Sequence, residues 1–86
     1  MAIKNDNWSI YIVQCNDGTL YTGITKDINR RLEEHNDKTG AKYTRSRGPV
    51  KLVYEEQVNS RSDALKREYQ IKALPLPKKV ALIMGE

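Results

Sequence analysis

The sequence predicts a small α+β domain of order β-β-α-β-α-α, with a three-stranded antiparallel or mixed sheet flanked by helices. Three observations carry this expectation. Two short β-branched and aromatic runs flank the turn residues Asn16-Asp17-Gly18. Two later stretches place apolar residues at helical spacing behind a capping residue. Finally, 86 residues of 38% hydrophobic and 30% charged composition are enough for one thin core and a single domain, expected over 8–84.

Each element has its own local reason. Residues 1–7 are polar and expected to be a flexible N-terminus. Trp8 to Cys15 reads as a strand, and Leu20 to Ile24 returns as a second, so the pair is a hairpin. Thr25 is a candidate cap for a helix over Asp27 to Asn36, whose Ile28, Leu32 and His35 share a face. A polar, basic loop runs to Gly48-Pro49, and Val50 to Gln57 alternates as a third strand. Ser60 with Asp63 resembles a capping box that opens a helix through Ala73. Pro75 and Pro77 stop that helix, and Lys78 to Met84 forms a short last one.

Composition excludes several classes of function. No apolar run approaches the roughly 20 residues of a bilayer span, so no membrane role is expected. The start, MAIKNDNW, lacks the apolar stretch of a secretory signal, which points to a cytoplasmic protein. Cys15 alone makes no internal disulfide, and with His35 it falls short of a zinc set. The net charge of +4 is more telling in its placement. Residues 26–51 hold eight bases against four acids, which is the whole excess. Lys38 to Lys51 contains five bases and no acid, a footprint for a polyanion or an ordinary solvated loop.

Some residues break the local rules, and functional sites are expected there. On the second helix Glu68 falls about 40° from Ala64 and about 60° from Ile71, inside the apolar stripe. A carboxylate facing a core must be paired, hydrogen-bonded or holding a metal; a salt bridge or a stripe-edge Glu reaching water is the plain alternative. On the first helix Arg31 and His35 lie one turn apart on the face that should pack inward. Arg suits bidentate contact with phosphate, whereas a lone helical His is more often structural. Tyr11 and Tyr21 lie on opposite arms of the hairpin, and turn length decides whether they cooperate. A two-residue loop at Asp17-Gly18 pairs Tyr11 with Ile24 and sends the two phenols to opposite faces. A three-residue loop with Gly18 at the bulge pairs Tyr11 with Gly23 and puts both on one face; Asn-Asp-Gly suits this second form. Cys15 reads as a small apolar filler and Trp8 as a core anchor.

Taken in order, these residues resemble the GIY-YIG nuclease superfamily, in particular its small stand-alone bacterial members. The likeness spans roughly Trp8 to Leu74. Ser9-Ile10-Tyr11 stands where the family has Gly-Ile-Tyr, and Tyr21-Thr22-Gly23 where it has Tyr-Ile-Gly. Arg30-Arg31-Leu32-Glu33-Glu34-His35-Asn36 looks like the helix of the catalytic arginine. Arg47-Gly48-Pro49-Val50 and Ala64-Leu65-Lys66-Arg67-Glu68 resemble the branch that cuts branched DNA. Each short motif is weak alone, and the ordered set is strong.

The resemblance implies a GIY-YIG-like fold and hydrolysis of DNA phosphodiester bonds with one divalent ion, Mg²⁺ or Mn²⁺. By similarity Glu68 would be the only protein ligand of the metal, a hard-oxygen site with water and phosphate completing the shell. Tyr11 would be general base, Arg31 would stabilise charge on the phosphate, and Tyr21 and His35 would orient water or contact phosphate. These five should line one shallow polar pocket on the sheet. Arg30, Lys42, Arg45 and Arg47 are candidates for holding flanking phosphates. Ser9 and Thr22 depart from the family pattern and leave the named chemical groups in place. With no second DNA-binding domain expected, a partner protein or a homodimer would supply specificity toward branched, damaged, nicked or single-stranded DNA. The alternatives are a nucleic-acid-binding module with little or no cleavage, and a protein-interaction domain whose basic loop meets an acidic partner.

Overall fold

Strand β1 (Trp8–Gln14) is the middle strand of the sheet and is buried along nearly its whole length. The structure is a computed structural model that describes residues 7–37 and 49–85. Strand β2 (Leu20–Thr25) pairs antiparallel with β1, with Tyr11 opposite Gly23 and Val13 opposite Tyr21. This is the register of the three-residue loop. The Cys15 N–H donates to the Thr19 carbonyl at 2.8 Å, and the Gly18 N–H to the Cys15 carbonyl at 2.9 Å. Gly18 takes φ +87°, a conformation costly for any residue with a Cβ.

Helix α1 (Ile28–Asn36) follows, capped by Asp27 and not by Thr25. The Asp27 carboxylate accepts from the Arg30 N–H at 3.1 Å, and its charge suits the positive end of the helix. Thr25 ends β2, and its hydroxyl oxygen accepts from the Asp27 N–H at 3.1 Å. At the other end Asn36 Oδ1 accepts from the Val50 N–H at 2.7 Å, which fixes where the third strand begins. Lys42, Arg45 and Arg47 lie outside the described residues.

Strand β3 (Lys51–Val58) pairs antiparallel with β1 on its other side, so the described sheet has order β2-β1-β3 and no parallel pair. The alternation expected of it is interrupted. Ile12 faces Tyr54 while Val13 faces Leu52, a bulge that leaves Val53 extra. Val53 and Tyr54 consequently both pack on the core around Ile10 and Ile12.

Helix α2 (Arg61–Lys72) is capped as expected, with Ser60 Oγ accepting from the Asp63 N–H at 3.1 Å. Helix α3 (Leu76–Ile83) begins two residues before Lys78. Pro75 is its cap and Pro77 sits in its first turn, where a missing N–H costs nothing. The helices cover both faces of β1. Ala64 and Ile71 of α2 pack with Ile10 and Ile12 on one face, joined by Leu82 and Ile83 of α3. On the other, Ile28 and Leu32 of α1 pack with Tyr11 and Val13.

Because the register rests on Gly18, Gly18→Ala should cost about 1 kcal/mol, or about 4–8 °C in Tm. Gly18→Asn should cost less, since Asn tolerates the left-handed conformation. Thermal melting of both variants checks this, and equal losses would detach stability from the backbone conformation at the turn.

Candidate active site

The register puts Tyr11, Tyr21 and Gly23 on the face that α1 covers. Arg31 and His35 come to the same place from one side of α1, where Ile28 and Leu32 also point inward. Three rings meet there. Centroid separations are 6.4 Å for Tyr11–Tyr21, 5.8 Å for Tyr11–His35 and 5.5 Å for Tyr21–His35, the last two edge-on. Tyr11 is 1% exposed and His35 0%, so their polar atoms must bond to each other or to near neighbours.

They do. The Tyr11 hydroxyl lies 2.9 Å from His35 Nε2, and Arg31 Nε donates to the same oxygen at 3.4 Å. Arginine can only donate, and a phenol can donate and accept at once. The sense of the Tyr11–His35 bond is therefore set by the imidazole tautomer: with the ring proton on Nδ1, Nε2 accepts the phenolic proton. Burial lowers the His35 pKa, and the adjacent Arg31 charge lowers it further against a smaller opposing pull from Glu34. Burial raises the Tyr11 pKa, with Tyr21 and Glu68 adding to it, and Arg31 only partly offsets the rise. For Arg31 burial acts downward, yet its bonds to Tyr11 and Glu34 outweigh it and hold the guanidinium charged. Arg31 Nη1 donates to Glu34 Oε1 at 2.9 Å.

Gly23 is what lets the phenol lie where it does. A Cβ at that position would fall 2.5 Å from Tyr11 Oη and 2.7 Å from Cζ. Ser9, at the first position of the strand motif, donates through its hydroxyl to Glu55 Oε2 at 2.7 Å and is buried.

Glu68 comes from α2, the helix that packs on the opposite face through Ala64 and Ile71. Its side chain is 19% exposed and reaches Tyr11 through its charge; its ion-pair partner is Lys72 at 3.2 Å, one turn on. No buried arginine pairs with it among the described residues. A second network anchors this helix. Arg67 Nε donates to Glu56 Oε1 at 2.6 Å, and the Tyr54 hydroxyl donates to Glu56 Oε2. Burial pushes the Glu56 carboxyl up, but these two bonds and the Arg67 charge leave it below the usual range.

The expected single pocket therefore takes a different form. Four of the five side chains form a packed cluster under α1, and Glu68 approaches from α2. A cleft of about 420 Å³ opens beside the cluster and is lined by Arg31 together with Trp8, Lys26, Asp27, Arg30 and Glu34. Desolvation explains the difference: the phenol and imidazole satisfy one another and need no water. Among the described residues, no group of three or more His, Cys, Asp and Glu is placed to hold a metal.

A family model for the GIY-YIG catalytic domain matches residues 7–80, nearly the whole chain. The chain belongs to the GIY-YIG family. UPF0213 proteins of Staphylococcus aureus strains Mu3 and N315 are each 55% identical to it over 78 residues, covering 91% of this chain and 95% of theirs. The solution structure of a UPF0213 protein from Bacillus halodurans aligns with a TM-score of 0.61 at 42% identity, over 93% of this chain and 85% of that one. A solution structure from E. faecalis aligns at 0.63 and 38%, over 92% and 84%. Membership in this nuclease family makes DNA the substrate class to expect. No helix among the described residues is long and apolar enough to cross a membrane.

Within this GIY-YIG domain, sequence reasoning missed the steric role of Gly23, the Glu34 partner of Arg31 and the Glu56–Arg67 anchor. Glu34 was legible as an i,i+3 neighbour of Arg31. Glu56 needed the strand pairing, which no local pattern reveals.

Two outcomes follow from this geometry. Gly23→Ala should push the phenol off His35 at a cost of about 1–3 kcal/mol, seen as lowered Tm and altered His35 ring nitrogen shifts by NMR. Second, a histidine whose folded pKa lies below its unfolded value of about 6.5 stabilises the fold above that pH and loses the contribution as pH falls. Melting temperature should drop from about pH 6.5 downward, and His35→Gln should lack that component. Parallel pH profiles would mean that His35 is not held neutral.

Proposed function

We propose that this domain is a divalent-metal-dependent endonuclease that hydrolyses DNA phosphodiester bonds, with Tyr11 and His35 acting as a proton relay. The observation that carries the reading is the Tyr11 hydroxyl held between Arg31 Nε at 3.4 Å and His35 Nε2 at 2.9 Å. A raised phenol pKa leaves almost no phenolate at neutral pH, so Tyr11 alone is a poor base. The relay removes that obstacle. Water gives a proton to the Tyr11 oxygen as the phenolic proton passes to His35 Nε2, leaving an imidazolium and a hydroxide to attack phosphorus. Arg31 lines the adjacent cleft and meets the charge that grows on the phosphoryl oxygens. Tyr21 packs against both partners and holds their orientation.

Glu68 is the residue that would hold one Mg²⁺ or Mn²⁺. A single, partly exposed carboxylate whose charge is felt at Tyr11 fits a hard ion that keeps most of its water, and the ion would displace Lys72, an exposed partner. When bound, the ion would polarise the phosphate and assist the leaving oxygen. Arg30 is mostly exposed at the cleft and suits a flanking phosphate, as do Lys42, Arg45 and Arg47 by their charge. Two observations favour a second reading, a binding module with little cleavage: the raised pKa of Tyr11 keeps the phenol protonated, and the Glu68 carboxylate is paired with Lys72.

A panel of duplex, nicked, branched and single-stranded DNA, with Mg²⁺, with Mn²⁺ and with chelator, distinguishes the two. Cleavage should require the ion, and Tyr11→Phe and Glu68→Gln should each lower it by about 10²-fold or more. Glu68→Gln should keep or tighten metal-free DNA binding, since a negative charge leaves the phosphate site. Intact DNA in every condition with binding preserved would establish the binding module instead.

A further inference from the structure

We infer that the cleft beside Arg31 seats an unpaired nucleotide of the DNA strand, its base against Trp8 and its phosphates on Lys26 and Arg30. The inference rests on the nucleic-acid reading above and adds the form of the substrate. Trp8 packs against the Ile10–Ile12 core, as expected of a core anchor, yet it is only half-buried at the end of β1 and also forms part of the cleft wall. Two cations lie over its ring, Lys26 Nζ at 5.7 Å and the Arg61 guanidinium carbon at 6.0 Å from the centroid. Such a setting suits a ligand that is flat and apolar in one part and anionic in another.

The acids of the cleft offset only part of this charge, since Asp27 and Glu34 stand against Lys26, Arg30 and Arg31 in the lining. Asp27 accepts the Arg30 backbone N–H as helix cap, and Glu34 bridges Arg30 at 3.6 Å and Arg31 at 2.9 Å. Both are occupied in holding α1 and its arginines. Lys26 and Arg61 thus flank the indole, and Arg30 and Arg31 line the same cleft as Trp8 and Lys26. A nucleotide matches that pairing, with its base on the ring and its phosphate on the ammonium that now covers the ring. The bases of a duplex are stacked on one another and present no free face, so the match is to an unpaired position. A cleft of about 420 Å³ lies in the range of small-ligand sites and has Arg31 in its wall, where the reacting phosphate would be met.

Trp8 is the only tryptophan of the chain, so its fluorescence reports this site alone. The probe is an oligothymidylate of about eight nucleotides, within the usual span of a single-strand site, compared with a blunt duplex, both without divalent metal. The single strand should quench Trp8 emission with the same midpoint as its binding measured by anisotropy, and the duplex should not. Trp8→Leu should weaken single-strand binding about tenfold and Trp8→Phe should restore most of it. Lys26→Gln, a change at an exposed position that removes the charge over Trp8, should lower the log–log salt slope by about 0.7. Single-strand binding without quenching, or with an unchanged slope in Lys26→Gln, would overturn the inference and leave the nuclease reading standing. Failure of every DNA to bind would overturn both.

Discussion

The buried hydroxyl of Tyr11 constrains more of this molecule than any other group. A phenol at the centre of a sheet face must find partners without water, and both come from one helix, Arg31 donating and His35 sharing a hydrogen bond through Nε2. The rotation and depth of α1 are thereby set to within a hydrogen bond. This matters because α1 has only nine residues, too few to be helical alone, and only Ile28 and Leu32 as apolar packing. Its place on the sheet is fixed as much by polar bonding as by burial.

That bond depends in turn on the hairpin. A slip of one residue would send Tyr11 to the α2 face and leave Arg31 and His35 facing nothing. The register is held by the left-handed Gly18 at the turn and by Gly23, whose missing side chain makes room for the phenol. Two glycines and one tyrosine thus form one chain of dependence from turn to site. Neither glycine supplies a reacting group, yet each is needed to place one.

How legible this was follows from how local each cause is. Asn16-Asp17-Gly18 named its own loop length, and loop length named the face shared by Tyr11 and Tyr21. The inward side of α1 could be read from helical spacing, because Arg31 and His35 sit among the apolar residues. The cap was misread as Thr25 since two acceptors two residues apart are equivalent in sequence; only the end of β2 chooses between them. The bulge at Val53 was hidden because Val50 to Gln57 alternates acceptably in either register. Glu68 stood out by position, but its approach to Tyr11 from the opposite side of the sheet is set by how α2 packs, a tertiary matter. The basic run containing Lys42, Arg45 and Arg47 lies outside the described residues.

The arrangement has an internal tension that the proposed reaction turns to use. Burial holds Tyr11 protonated and His35 neutral, which is the state that stabilises the fold and the state from which a relay must start. Arg31 opposes the relay's product, because a guanidinium beside His35 disfavours an imidazolium. In that reaction an incoming phosphate would change the balance. Its negative charge at Arg31 would screen the guanidinium and make the imidazole a better proton acceptor when substrate arrives. Once the phosphate left, the full charge of Arg31 would return and drive the proton off His35. A single arginine would in this way keep the relay idle in free protein, enable it against substrate and reset it afterwards. The requirement is that Arg31 touch the phenol and the phosphate together, and its position, bonded to Tyr11 on one side and open to the cleft on the other, meets it.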